Sequence, residues 1–137
     1  MTRTFARLAT DRGGASAVEF ALIAPVLLLM MCGTCVYAVW FLLAVSVQSL
    51  AVESARASLA GLDDSERRTL AEAFIQKRAA QIGLPPSHVT QTVEIDRDGT
   101  RVTVRFDASD HPAMALKHLV PAPPDIIERT AVVAGTR

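Results

Sequence analysis

Charge is missing from about a quarter of this sequence: between Phe20 and Val52 there is no Asp, Glu, Lys or Arg, a run of 33 residues in a chain of 137. A helix in a soluble protein shows water a polar side, so an uncharged run of this length excludes an ordinary amphipathic helix. It is also too long for the apolar region of a cleaved secretory signal, which takes about 7–15 residues. A bilayer core takes roughly 20 apolar residues in helical form, so a membrane span is the reading the run supports. Net charge is missing as well, because 14 Lys and Arg balance 14 Asp and Glu. That balance gives no ground for nucleic-acid or general anion binding. Cysteine is scarce: Cys32 and Cys35 both lie inside the apolar run, so the rest of the chain has to fold by packing, without a disulfide. Internal repeats are absent. So are the G-x-S-x-G, H-E-x-x-H, P-loop and dinucleotide signatures, and the expectation is a structural protein with no cofactor rather than an enzyme.

Three regions follow from the patterning. Residues 1–14 are basic and end in glycine, which reads as a leader or a cytoplasmic tail. Residues 15–60 read as one helix whose first two-thirds are membrane-like, and residues 61–137 as an exported α+β domain. Arg3, Arg7 and Arg12 precede the run against Asp11 alone, so the positive-inside rule puts that end in the cytoplasm and the C-terminal part in the periplasm. At ~1.5 Å per residue the helix would be on the order of 70 Å long and would project beyond a bilayer. Gly61 marks its expected break, and Glu53 and Arg56 are spaced i,i+3 to pair.

A second, amphipathic helix is signalled by Asp63 with Glu66 three residues later, the spacing of a capping box. Ala71, Ile75, Ala79 and Ile82 then recur at helical spacing, flanked by Leu70 and Phe74. Gly83 suits a left-handed stop, and Pro85 and Pro86 forbid continuation. The period then changes to two. Val93 and Ile95 alternate on one segment and Val102, Val104 and Phe106 on the next, with Asp98-Gly99 between them as the expected hairpin turn. Asp110 to Val120 is a short helical candidate with Pro112 in its first turn, and Ile126 to Ala134 is a third strand. A lone hairpin is marginal in water, so the expected fold is α+β: a long N-terminal transmembrane and stem helix, an amphipathic second helix, and a three-stranded antiparallel sheet packed on the stem.

Glu19 stands at the mouth of the apolar run. A carboxylate at the centre of a membrane helix costs ~2.5–3.5 kcal/mol on insertion scales and less near the interface. Position alone leaves two readings open: an interfacial Glu favoured by the helix dipole, or a charge with an assigned partner. The surrounding stretch, Gly13-Gly14-Ala15-Ser16-Ala17-Val18-Glu19-Phe20-Ala21-Leu22-Ile23-Ala24-Pro25 and the leucines after it, resembles the N-terminus of TadE-like proteins. These are minor pseudopilins of the tight-adherence (Flp, type IVb) pilus assembly system, and TadF-like subunits share the same N-terminus. The resemblance implies that a prepilin peptidase cuts a basic leader after Gly14, making Ala15 the mature N-terminus and Glu19 the fifth mature residue. Glu19-Phe20 fits the Glu-aromatic pair of this branch, and Pro25 its early helix proline. Gly13 also precedes the cut, so the cleavage position rests on the spacing to Glu19. The resemblance covers residues 12–45. It implies other minor pseudopilins, pilin, inner-membrane assembly components, membrane lipid and the prepilin peptidase as partners. In physical terms, cleavage would create an ammonium group at Ala15, and Glu19 of a neighbouring subunit could neutralise it. Such a pair sets register between packed helices.

Other candidates weigh less. Cys32-Gly-Thr-Cys35 has redox spacing, but no basic neighbour lowers a thiol pKa there, and small residues on one helix face are the simpler reading. Asp96-Arg97-Asp98-Gly99 matches the opening of a calcium loop without its later ligands, which leaves a turn. His88, His111 and His118 lack metal spacing and read as exposed. Pro25 is open between a functional kink and a tolerated membrane proline. Two alternatives are an unprocessed membrane-anchored interaction domain and a membrane thiol enzyme using Cys32 and Cys35. N-terminal sequencing separates the first from the main reading. Unchanged function after Cys→Ser substitution at both positions would eliminate the second.

Overall fold

The computed structural model describes residues 12–134. Most of the leader expected over residues 1–14, with Arg3 and Arg7, lies outside the described residues. The architecture is α+β. Helix α1 (Arg12–Ser58) is followed by α2 (Asp64–Gln81), a short 3₁₀ turn (Pro86–His88), strands β1 (Val89–Asp96) and β2 (Gly99–Asp107), a 3₁₀ segment (Pro112–His118) and β3 (Ile126–Val133). The sheet is antiparallel in the order β1-β2-β3.

Helix α1 begins at Arg12 rather than 15 and ends at Ser58 rather than 60. Its last turn tightens through 3₁₀ bonds from Leu59 N–H to Arg56 C=O and from Gly61 N–H to Ser58 C=O, both 3.1 Å. Gly61 therefore lies past the end of the helix, and it serves a close approach. A Cβ there would come within 2.6 Å of the Arg67 backbone nitrogen. Arg67 uses the access, donating from Nε to the Gly61 carbonyl at 3.1 Å.

Helix α2 starts as its sequence predicts, with Asp63 Oδ1 accepting from Glu66 N–H at 2.8 Å. The reciprocal bond differs by one residue from a standard capping box: Glu66 Oε2 accepts from Leu62 N–H, ahead of the cap. At the other end Gly83 has φ +76° and Leu84 N–H donates to Ala79 C=O at 3.0 Å. This is the Schellman bond, and it brings Leu84 into the core at 1% exposure. Folding back along α1 sets Arg78 beside Glu53, with Nε and Oε2 3.4 Å apart. The expected Glu53–Arg56 pair is thus replaced by one between helices, because α2 covers the face on which Glu53 lies.

The sheet presents rungs of apolar side chains to the helices. Val93, Val102 and Ala131 lie abreast, as do Val89, Phe106 and Ile127, and all six are buried. Asp96 pairs with Gly99, so the hairpin turn is Arg97-Asp98, not Asp98-Gly99. No described residue other than Gly83 and Gly99 has positive φ, which rules out a primed turn at Arg97-Asp98. Gly99 instead opens β2 at φ +146°, where a Cβ would press into the Val133 carbonyl oxygen. On the opposite face Thr103 and Thr130 hydroxyls meet at 3.0 Å, and Arg101–Glu94 and Arg105–Glu128 are exposed pairs.

The core lies where α1, α2 and the sheet meet. From α1 it takes Val36, Leu43, Ala44, Val47, Leu50, Ala51 and Ala55, a stripe at helical spacing rich in small residues that let neighbours approach. Ser54 and Ser58 are fully buried on this stripe, and their hydroxyls donate to the carbonyls of Ala51 (3.0 Å) and Ala55 (2.7 Å), which satisfies them. At the end of β2, Asp107 accepts from Ser109 N–H at 2.9 Å. That bond, then the Ser109 hydroxyl and the charges of His88 and Arg105, hold its carboxyl below the ordinary value of 3.8.

Candidate functional site

The folded domain occupies only the C-terminal half of α1. From Gly14 to Cys35 the helix is exposed apart from half-buried Ala24, Cys32 and Gly33, and the first fully buried side chain is Val36. Phe20 is 68% exposed and Leu22 73% exposed. About 22 residues of free apolar helix measure roughly 33 Å, close to the ~30 Å hydrocarbon core of a bilayer. The 33-residue uncharged run is therefore two things in sequence: free helix over residues 20–35, roughly 24 Å, then a stem on which a domain is built. The free part of α1 is shorter than two-thirds of the helix, because the domain covers one side of it from Val36 onward. The opposite side of that stretch stays exposed and apolar at Phe41, Leu42 and Val45.

Two hydroxyls within the apolar stretch are satisfied inside the helix. Thr34 donates to Met30 C=O and Ser46 to Leu42 C=O, each at 2.9 Å. Such i−4 bonding is how hydroxyls are carried in lipid. Tyr37, Trp40 and Phe41 cluster where the free segment meets the domain, with Trp40 and Phe41 edge to face at 5.5 Å. Aromatic side chains of this kind concentrate at membrane–water boundaries. Trp40 also holds the domain to the stem: its Nε1–H donates to Pro124 C=O at 3.0 Å, and the Arg129 guanidinium lies 6.0 Å from the ring centre. Sequence reasoning passed over this cluster, although Tyr37-x-x-Trp40-Phe41, about 20 residues into the apolar run, was a legible boundary signal.

The residues singled out at the N-terminus all fall on the free segment. Gly14 and Ala15 lie in the first turns of α1, and Glu19 is exposed one turn beyond Ala15 on the same face. Glu19 is the only Asp, Glu, Lys or Arg between Gly14 and Val52. Phe20 adjoins it. Pro25 lies inside α1, which continues through it, and its missing N–H leaves the Ala21 carbonyl without its helical donor. Cys32 packs partly against the core and Cys35 is exposed; both are free thiols. Among the described residues no three His, Cys, Asp or Glu side chains gather as a metal-binding group. His88 and His111 are half-buried rather than exposed: His88 Nδ1 lies 3.3 Å from Asp107 C=O, and His111 Nδ1 accepts from Ala113 N–H at 3.2 Å. Both stitch the loop after β2.

A single exposed apolar helix with a small α+β domain packed on its far half defines a membrane-anchored protein of the single-pass type. Within that class, residues 14–56 match the model of the TadE-like protein family. The match opens at Gly14, includes Glu19, and ends within two residues of the end of α1, so it is the long helix that is TadE-like. It supports a protein associated with the Tad pilus system. No curated protein and no solved structure matches the chain.

Proposed function

We propose that this protein is a minor pseudopilin-like subunit for assembly of tight-adherence pili, non-catalytic, and processed by a prepilin peptidase between Gly14 and Ala15. The observation that carries the reading is the placement of the TadE-like match: it begins at the residue expected to precede the cut and contains the one carboxylate of the span. Cleavage requires an extended backbone at the scissile bond. Gly13 and Gly14 each disfavour helix by ~1 kcal/mol relative to Ala, so the first turn of α1 opens easily. Once Ala15 carries a free ammonium group, Glu19 of an adjacent subunit neutralises it, and Phe20 and the exposed apolar helix pack beside it. The protein resides in the cytoplasmic membrane with its N-terminus inside and its folded domain outside. Its partners are other minor pseudopilins, pilin and the inner-membrane assembly components.

Intact-mass measurement of the protein from cells with and without the peptidase tests this. The expected result is a chain starting at Ala15 only when the peptidase is present. A chain still carrying Met1 in peptidase-positive cells would refute processing and leave an unprocessed membrane-anchored interaction domain.

A further inference from the structure

The loop from Leu119 to Pro124 reads Leu-Val-Pro-Ala-Pro-Pro, with no charge and no hydroxyl. It joins the 3₁₀ segment to β3, at the end of the domain nearest the free part of α1. Leu119 is 64% exposed at its tip. Leu119, Val120 and Pro121 form one shallow apolar groove with Met30, Gly33 and Tyr37 of α1. That sets the depth of the loop. A ~30 Å hydrocarbon core entered at Phe20 takes about 20 residues of helix and is left near Trp40. Gly33 lies roughly 10 Å inward of Trp40 along the axis, and the loop reaches its level.

Irregular backbone survives at such depth only when its polar groups are satisfied within the protein. This loop meets part of that condition: of its three N–H groups, at Leu119, Val120 and Ala122, the first two are bonded within the protein, and so is the carbonyl of Pro124. Pro121, Pro123 and Pro124 have no N–H to satisfy. Leu119 and Val120 both donate to Leu116 C=O, at 2.9 and 3.2 Å. The Pro124 carbonyl accepts from Trp40. The nearest charges are held back from the tip: Lys117 Nζ is paired with Asp125 Oδ2 at 3.0 Å across the base of the loop.

We propose that Leu119–Pro124 is a second membrane-contacting element, which enters the leaflet on the domain's side beside α1 and fixes the domain against the bilayer surface. The occupant of the groove at Gly33 is lipid acyl chain, because the groove continues the lipid-facing surface of the span. The inference rests on α1 crossing the membrane but not on processing or pilus assembly. One consequence is orientation: a domain held at two points has its α2–Leu62 end directed away from lipid and presented to partners.

Site-directed spin labelling of the full chain in proteoliposomes tests it. In a Cys32→Ala, Cys35→Ala background, a nitroxide is placed at Leu28→Cys in the span, at Leu119→Cys, or at Leu62→Cys, whose residue is 92% exposed. Collision with oxygen reports hydrocarbon and collision with a nickel chelate reports water. The expected result is an oxygen-rich, nickel-poor label at 119, like that at 28, and the reverse at 62. A nickel-accessible label at 119 with a lipid-exposed label at 28 overturns the proposal while leaving the span intact. Nickel access at 28 as well overturns the span itself. A label at 119 shielded from both reagents shows another protein chain in the groove and also overturns the proposal.

Discussion

Substituting Glu19 by Ala should separate assembly from folding. Glu19 is exposed, and the first buried side chain of α1, Val36, lies 17 residues further on. At ~1.5 Å per residue that is roughly 25 Å, beyond any direct contact between the carboxylate and the core. Surface substitutions so placed usually change stability by no more than ~0.5 kcal/mol. Insertion should improve slightly, since a charge near hydrocarbon is removed. Association is where the loss should fall. If Glu19 meets a neighbour's Ala15 ammonium away from water, the substitution strands that ammonium, and breaking a buried pair from one side costs ~3–5 kcal/mol. At ~1.4 kcal/mol per tenfold, association weakens by about two to four orders of magnitude. The assay has two arms: thermal unfolding in detergent followed by Trp40 fluorescence, and co-purification of the variant with a co-expressed pseudopilin partner. The expected outcome is an unchanged midpoint with co-purification lost, and poor rescue by Glu19→Gln. Wild-type recovery of the partner by Glu19→Ala would refute the ion-pair reasoning. A lowered unfolding midpoint would refute the independence of the free segment from the domain.

Two further outcomes concern the domain. Gly99→Ala forces a side chain into positive φ and onto the Val133 carbonyl, where strained backbone alone costs ~1–3 kcal/mol; a reduced urea midpoint is expected, and an unchanged one would show that the β2–β3 end yields freely. Thr100 is 1% exposed and its hydroxyl has no hydrogen-bond partner among the described residues. Because an unbonded buried hydroxyl costs ~1–3 kcal/mol in mutational series, Thr100→Val should raise the urea midpoint at constant slope, and a fall would mean that the hydroxyl is satisfied.

Much of the fold was legible because its signals are local. Ala71, Ile75 and Ala79 repeat at helical spacing and all are fully buried on α2. Val102, Val104 and Phe106 alternate, and all face the core from β2. The α2 cap at Asp63 and the stop at Gly83 depend on residues within a few positions of each other. The errors fell where the decisive partner is distant in the chain. Glu53 was assigned to Arg56, three residues away, and instead meets Arg78. The hairpin turn moved to Arg97-Asp98 because the register with β1, and the packing of Gly99 against β3, outweigh the local preference of Asp-Gly. His88 looked idle because its partner, the Asp107 carbonyl, lies 19 residues on; His111 is the exception, since the Ala113 amide that donates to it is two residues away.

The uncharged run from Phe20 to Val52 by itself determines that this chain has a helix for which water is a poor solvent, since no face of it can be turned outward at low cost. The segment from Gly14 through the apolar run by itself carries the likeness to TadE-like proteins. Neither could say where the membrane part stops, because an apolar side chain is equally suited to lipid and to a protein core. Tertiary structure showed which part of the run a domain covers. It set a domain on the stem from Val36 onward, tied Trp40 to Pro124, and brought Leu119 down beside Gly33. The physical reason is that burial depends on which surfaces meet, and those surfaces come from segments as far apart in sequence as α1 and the approach to β3.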